Sequence, residues 1–184
     1  PDQLRTSALD GEIENLLDWR SVRAGDVILT PAGTVHAIGA GLTICEIQQN
    51  SDITYRLYDY GRPRELHLDH AVNVSHLGPY KHRQERVALA AGRDQLAVCH
   101  YFRIERLTSP GAISIAAGVP HYLLLVSTKG SGTIAGSDYT AGQTWLVPAE
   151  AEEFTITGAG SEWILTYTAN EPLGPGVVRL AQER

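Results

Sequence analysis

Apolar and polar positions divide the chain into a short helical start and a long series of β-type runs. Between Asp2 and Asp18, apolar residues recur at roughly helical spacing, and Asp10-Gly11 interrupts them. This pattern predicts two short helices joined by a turn at residues 1–20. From Val22 onward, short runs of apolar residues are bounded by Gly, Pro, Asn and Asp, which is typical of strands.

The predicted strands form two groups, separated near Gly92. The first group covers residues 27–30, 42–49 and 53–60, and a short helical turn over 66–74 follows it. The second group covers residues 95–107, 112–116, 122–127, 132–135, 144–148, 153–157 and 163–168. We therefore expect an all-β protein of the sandwich or jelly-roll type, with one domain at 21–92 and another at 93–184.

A faint internal repeat supports two related β domains. Gly25-Asp26-Val27-Ile28-Leu29-Thr30-Pro31 recurs in form as Gly142-Gln143-Thr144-Trp145-Leu146-Val147-Pro148. Self-similarity of this kind is the sequence signature of a repeated structural unit. The repeat indicates two barrels as a hypothesis.

Composition excludes several classes of partner. The net charge of -6 and the pI near 5.6 disfavour nucleic-acid binding, which requires a basic face. No apolar run approaches the roughly 20 residues that span a bilayer, and the first residues lack a signal-peptide pattern, so we expect a cytoplasmic protein without a membrane partner. The two cysteines lie far apart, which disfavours a disulfide framework or a cysteine zinc site. The absence of methionine, including an initiator, hints at a fragment.

The clearest motif is Gly25-x5-Pro31-x-Gly33-x2-His36, which matches the second cupin motif position for position. The residues from Pro31 to Gly33 bend the backbone so that His36 can project into a barrel mouth. An imidazole in that place is a competent zinc ligand. The alternative is an ordinary core or turn histidine.

The segments from Pro31 to Gly39 and from Glu46 to Arg62 resemble the conserved core of the bacterial type I mannose-6-phosphate isomerases, a zinc-dependent cupin family. The resemblance runs from about Leu4 through Val74, and the remaining residues fit the second cupin of that family more loosely. It implies a double-stranded β-helix fold and the interconversion of mannose 6-phosphate and fructose 6-phosphate. The substrate is then a small sugar phosphate.

The resemblance also implies a ligand set. In that family a glutamine, a histidine and a glutamate from an earlier segment bind zinc together with a later histidine, which corresponds to His36. Nothing between Pro1 and Asp18 supplies the earlier ligands. The second repeat has Glu150 and Glu153 where the first has Gly33 and His36, so 93–184 is expected to be a metal-free cupin. We therefore expect a carboxy-terminal part that binds zinc poorly and is inactive by itself.

Further site residues follow from the same resemblance. It places Arg56 and Glu46 in the active site, with Glu46 as one candidate base, and Arg62 at the substrate. A structural ion pair is the alternative for Glu46 and Arg56. Arg62 and Arg64 form a local basic cluster in an acidic protein, which suits attraction of the dianionic phosphate of the substrate, and solvated surface charge is the alternative for both. The four histidines His67, His70, His76 and His82 have irregular spacing and are interpreted as structural or surface residues.

Two functions of different classes remain open at this point. One is the isomerase, in which a base moves a proton between two sugar carbons through an enediol and positive charge stabilises the developing oxyanion. The other is a non-catalytic cupin that binds sugar phosphate or a protein partner. The oligomeric state is not predicted.

Overall fold

A computed structural model describes residues 1–119 and 121–181, and the chain divides into two compact units, Pro1–Arg83 and Gln84–Arg184. In the described residues, no helix is long and apolar enough to cross a membrane. Most regular structure is β-sheet, which confirms the predicted fold class. The second unit begins before Gly92 because strand β1, Val87–Ala90, pairs with β2, Arg93–Val98, across the turn that contains this glycine.

The first unit is organised around three short helical elements. Helix α1 spans Asp2–Asp10, a 3-10 helix spans Glu12–Leu16 and α2 spans Leu68–Val74. Gly11 separates the first two with φ of 84°, a left-handed conformation that glycine adopts without strain. Their apolar faces enclose a small core of Leu4, Ala8, Ile13, Leu57, Ala71 and Val72. The predicted helices and the helical turn are therefore present.

The three strands predicted in the first unit are not formed. Residues 27–30, 42–49 and 53–60 contain no strand, and the side chains of Ile28, Leu42, Ile44 and Ile53 are exposed. Strands are stable only when a neighbour satisfies their backbone groups and covers one face. The prediction was wrong for these segments because the local pattern was present and the sheet partner was not.

The described residues of the second unit, 84–119 and 121–181, form eleven strands in two antiparallel sheets. After β1 and β2 come Arg103–Ser109, Ile113–Ile115, Leu123–Lys129, Ser131–Ile134, Ser137–Thr140, Thr144–Val147, Phe154–Thr157, Ser161–Tyr167 and Val178–Leu180, which are β3 to β11. One sheet has the order β1-β2-β3-β10-β5-β8, and the other has the order β11-β4-β9-β6-β7. The order of non-consecutive neighbours is that of a jelly roll.

The core of the second unit lies between the sheets. Along β3 and β5, buried and less buried residues alternate, as a sheet with one covered face requires. The fully buried side chains include Trp163 of β10, whose ring packs edge-on against Tyr139 of β7 with centroids 4.6 Å apart. Contacts of this kind join the two sheets across a single hydrophobic core.

A charged cluster is buried beside this core. The Arg93 guanidinium donates through Nε and Nη2 to the two oxygens of Glu105, at 2.6 and 2.9 Å. The Tyr167 hydroxyl donates to the same carboxylate and accepts a bond from the backbone N–H of Leu173. Burial, followed by the hydrogen bond to Glu105, raises the pKa of Tyr167 to about 12. The cluster fixes β2, β3 and β10 relative to one another.

Candidate active site

The turn after Pro31 brings His36 to the surface of the first unit. The N–H of Thr34 donates to the Pro31 carbonyl at 3.0 Å, and Gly33 has φ of 83°. A Cβ on Gly33 would lie 2.5 Å from the Val74 carbonyl oxygen, so a side chain is excluded there. The predicted bend at residues 31–33 is therefore present, but the first unit forms no barrel, so His36 does not project into a barrel mouth here.

His36 itself has one ring nitrogen engaged and one free. Its Nδ1 lies 2.8 Å from the Thr34 carbonyl oxygen and donates to it, and the side chain is exposed. That bond fixes the tautomer with a lone pair on Nε2, the state in which histidine binds a metal. His36 can therefore supply one metal ligand, the Nε2 atom of its ring.

The described residues do not complete a metal site. Across 1–119 and 121–181, no group of three or more His, Cys, Asp or Glu side chains is arranged to hold a metal ion. Zinc takes three or four protein ligands, so His36 and its neighbours here do not fit a zinc site by themselves. His67 and His70 have other contacts: His67 Nδ1 accepts from the Arg56 N–H at 3.1 Å, and His70 stacks on Tyr55.

Arg56 is held by main-chain contacts. Its Nη1 donates to the Glu65 carbonyl at 3.1 Å, and its own carbonyl accepts from the N–H of His67 at 2.8 Å. In the described part of the chain, neither Arg56 nor Glu46 takes part in an ion pair. A structural Glu46–Arg56 pair is therefore not present, and the Arg56 charge has no neutralising partner in direct contact.

Arg62 and Arg64 converge on a carboxylate that the sequence did not single out. Arg62 Nη2 lies 2.8 Å from Asp59 Oδ1, and Arg64 Nε lies 2.5 Å from Asp59 Oδ2. The hydrogen bond from Arg64 lowers the pKa of Asp59 against the opposing effect of burial, and the charges of Arg62, Arg64 and Arg56 lower it further. Strand alternation gave no signal for Asp59, because Ile53 and Tyr55 at the same spacing are exposed and the segment forms no strand.

The second unit contains the same turn geometry as the first. The glycine that opens each copy of the repeat has φ of 95° in one unit and 93° in the other. Before it, the Arg23 N–H donates to Asp26 Oδ2 at 2.8 Å, and in the second copy the Thr140 N–H donates to Gln143 Oε1 at 3.0 Å. The two turns therefore use the same backbone and side-chain contacts.

The turn that ends each copy of the repeat is closed by the same backbone hydrogen bond. The Thr34 N–H donates to Pro31 O at 3.0 Å, and the Ala151 N–H donates to Pro148 O at 3.1 Å. The internal repeat inferred from the sequence is thus a repeat of local structure. In the second unit the residues between these turns form β8, whereas in the first unit they form no strand.

This correspondence indicates the orientation of Glu46. After a two-residue shift of register, Gly39-Ala40-Gly41 matches Gly158-Ala159-Gly160, and Glu46 stands at the same distance after Gly41 as Leu165 after Gly160. Leu165 is fully buried between the sheets of the second unit. Glu46 therefore occupies the position that faces the interior of the β domain in the other copy, although it is exposed here.

The chain is similar to proteins of known activity. No family model matches it. It is 34% identical over 170 residues to the mannose-6-phosphate isomerase ManA of Bacillus subtilis, covering 85% of this chain and 54% of ManA. It is 33% identical to the mannose-6-phosphate isomerase of Streptococcus mutans over 141 residues, which are 72% of this chain and 44% of that protein.

A solved structure supports the same relationship. The crystal structure of the mannose 6-phosphate isomerase from Bacillus subtilis matches with a TM-score of 0.55 and 27% identity, over 64% of this chain and 41% of that one. The chain spans about half the length of the curated relatives it matches.

Proposed function

Since the chain matches the carboxy-terminal cupin part of mannose-6-phosphate isomerases, we propose that it supplies part of an active site that interconverts mannose 6-phosphate and fructose 6-phosphate. The observation that carries the proposal is the sequence match, which extends over most of this chain. The preserved turn at Gly33 and the free Nε2 of His36 support it.

Arg56 is proposed as the electrostatic catalyst. Isomerisation moves a proton between the first two sugar carbons and develops negative charge on an oxygen. The Arg56 guanidinium has no carboxylate in contact and is fixed through the Glu65 carbonyl, so its charge is available to a developing oxyanion. A preorganised charge of this kind stabilises the transition state without reorganisation during the reaction.

Glu46 is proposed as one candidate for the proton transfer. It stands at a position whose counterpart, Leu165, faces the domain interior. A carboxylate placed at the substrate can take a proton from one sugar carbon and return it to the other.

We propose that the active enzyme binds zinc through His36 and through further ligands that the described residues do not supply. His36 would hold the ion through Nε2 and the Thr34 carbonyl would orient the ring. When bound, zinc polarises substrate oxygens as a Lewis acid. Because the described residues contain no group of three ligands, this chain alone is expected to bind zinc weakly.

The enzyme also requires sheet partners for the extended segments of the first unit. Ile28, Leu42, Ile44 and Ile53 are exposed in segments that carry the strand pattern. The equivalent of the first segment in the second unit is β8, which pairs with β5. We propose that strands additional to this sequence pair with these segments in the active enzyme and bring His36 and Glu46 to a common interior.

The test is a coupled assay of mannose 6-phosphate isomerisation. It is run on this chain and on the longer protein that contains it, after chelation and after zinc is restored. Arg56→Ala in the active protein is expected to lower turnover by about 10²–10³-fold, comparable to removal of one preorganised donor. Arg83→Ala is the control, because Arg83 is an exposed arginine of the same unit with no side-chain bond in the described residues. Near-normal turnover of Arg56→Ala would refute the role of Arg56.

A non-catalytic cupin that binds sugar phosphate is the second candidate. The observation in its favour is that no group of three metal-ligating side chains exists in the described residues. The same assay separates the two functions. Binding of mannose 6-phosphate by the longer, zinc-treated protein without any turnover would favour the binding protein.

A further inference from the structure

The carboxylate of Asp59 is nearly inaccessible, yet both arginines that bind it reach solvent. Asp59 is 4% exposed, whereas the side chains of Arg62 and Arg64 are 57% and 49% exposed. Arg62 binds one carboxylate oxygen and Arg64 binds both. A buried anion therefore orients two cationic head groups from below.

The turn between Asp59 and Arg62 adds a second constraint. Tyr60 and Gly61 have φ of 55° and 71°, and the N–H of Arg62 donates to the Asp59 carbonyl at 3.0 Å. Two consecutive positive φ values with this bond define a type I′ turn, in which a tyrosine at the first central position is strained. Strained residues of this type concentrate at functional sites, where the surrounding contacts impose them.

The same turn restrains the Arg62 head group. Arg62 Nε donates to the Asp59 carbonyl at 3.2 Å, and the guanidinium carbon lies 5.6 Å from the Tyr60 ring centroid. Tyr60 in turn lies against Tyr58, with ring centroids 5.0 Å apart. A long, flexible side chain is thereby fixed in one region, which lowers the entropy that a ligand would otherwise have to remove.

Charge and donor geometry indicate the ligand class. Two guanidiniums share one carboxylate, so the cluster keeps excess positive charge within an acidic protein. A guanidinium has five N–H donors, and the contacts with Asp59 leave several of them on the exposed side. Paired guanidiniums with free donors match the oxygens of a dianionic phosphate.

We propose that Asp59 is a positioning residue that presents Arg62 and Arg64 as a pair to the phosphate group of the substrate. The identity of the substrate rests on the proposed isomerase function, whereas the pairing rests on the geometry of the turn. Asp59 does not contact the ligand. It determines where the two head groups stand, and its loss allows both arginines to disperse into solvent.

The first measurement is binding of inorganic phosphate to the full chain by isothermal titration calorimetry. Asp59→Asn keeps the shape of the side chain and removes its charge, and it is expected to weaken phosphate binding about tenfold. Asp69→Asn is the matched control, because Asp69 also pairs with an arginine of the first unit, Arg5, but is exposed. The control is expected to bind phosphate as the wild type does.

A second variant, Arg64→Ala, tests the same proposal if Asp59→Asn does not fold. Arg64→Ala leaves Asp59 neutralised by Arg62, so the fold should survive, and phosphate binding is again expected to weaken several-fold. Circular dichroism establishes the folding of each variant. The proposal would be overturned if the wild-type chain does not bind phosphate. It would also be overturned if Asp59→Asn binds phosphate as tightly as the wild type or more tightly, because that result means that the Asp59 carboxylate competes with phosphate for the two arginines.

Kinetics separate positioning from general structural damage. In the isomerase-active protein, Asp59→Asn is expected to raise KM for mannose 6-phosphate about tenfold with kcat within about twofold, and Asp59→Glu to restore part of the loss. A fall in kcat with KM unchanged would contradict positioning at the phosphate. If the wild type shows no isomerisation while Asp59→Asn still weakens phosphate binding, the proposed function is wrong and the role of Asp59 in positioning Arg62 and Arg64 is supported.

Discussion

Replacement of Glu105 by alanine should remove much of the stability of the second unit. Glu105 has no accessible surface and accepts two bonds from Arg93, whose side chain is 4% exposed. In Glu105→Ala the Arg93 charge stays in the interior without a partner, and Tyr167 loses its acceptor. Breaking a buried ion pair from one side costs about 3–5 kcal/mol, against a total stability on the order of 5–15 kcal/mol for a domain.

Equilibrium urea denaturation, followed by tryptophan fluorescence, measures this loss. With a urea dependence of roughly 2 kcal/mol per molar, the midpoint of unfolding should fall by about 2 M. Glu153→Ala is the matched control, because Glu153 pairs with Arg179 at the surface and both side chains are about half exposed. Its loss should stay below about 1 kcal/mol.

A small effect of Glu105→Ala would refute the view that Glu105 neutralises a charge held in the interior. A loss below about 1 kcal/mol in Glu105→Ala would show that the Arg93 charge escapes to solvent or is hydrated in place. A combined replacement of Arg93, Glu105 and Tyr167 by leucine, leucine and phenylalanine removes every partner together. It should restore most of the stability, since apolar groups of similar volume often replace buried ion pairs without loss.

Two further predictions concern the packing of Gly132 and the unfolding of the first unit at low pH. Gly132→Ala should destabilise the second unit by about 1–3 kcal/mol in urea, because its Cβ would lie 2.0 Å from the Thr157 carbonyl oxygen, whereas Gly174→Ala, which meets open space, should be neutral. The pKa of Asp59 lies below its ordinary value of 3.8, so the stability that Asp59 contributes is complete above that pH and disappears as pH falls through the lowered pKa. Acid unfolding of the first unit should therefore be steeper in the wild type than in Asp59→Asn, and equal slopes would contradict the ion cluster.

Local patterns predicted the elements that local interactions determine. The helices of the first unit follow from apolar spacing and Gly11, and eight strands in the described part of the second unit lie within or overlap the predicted runs. The predicted run 95–107 is two strands, β2 and β3, because the N–H of Cys99 bonds the Phe102 carbonyl and closes a turn. The missed strands β1, β7 and β11 lie at sheet edges and bury at most one residue each, so they show no alternation.

The site was predictable to the extent that it depends on sequence neighbours. The motif around Pro31 predicted the turn, which follows from contacts within a few residues. It also predicted that His36 projects into a barrel mouth, and this part was wrong for the isolated first unit, where the side chain is exposed. Asp59 was missed because its burial comes from packing of its segment on the helices, where Leu57 is anchored. The roles of Arg56, Glu46 and Arg62 stay predictions, since each needs a substrate to be tested.

The two copies of the repeat show why the remaining part of the site was not predictable. In the second unit, β8 is an edge strand whose neighbour β5 precedes it in the chain. At the corresponding distance before Gly25, the chain forms α1 and the turn after it, so Val27 to Thr30 have the turns and pattern of β8 without its neighbour. Two segments with the same flanking turns and a similar pattern therefore form a strand in one unit and an open segment in the other. The turns and the apolar pattern of such a segment therefore do not determine a strand by themselves, because a strand also needs a neighbour that satisfies its backbone groups.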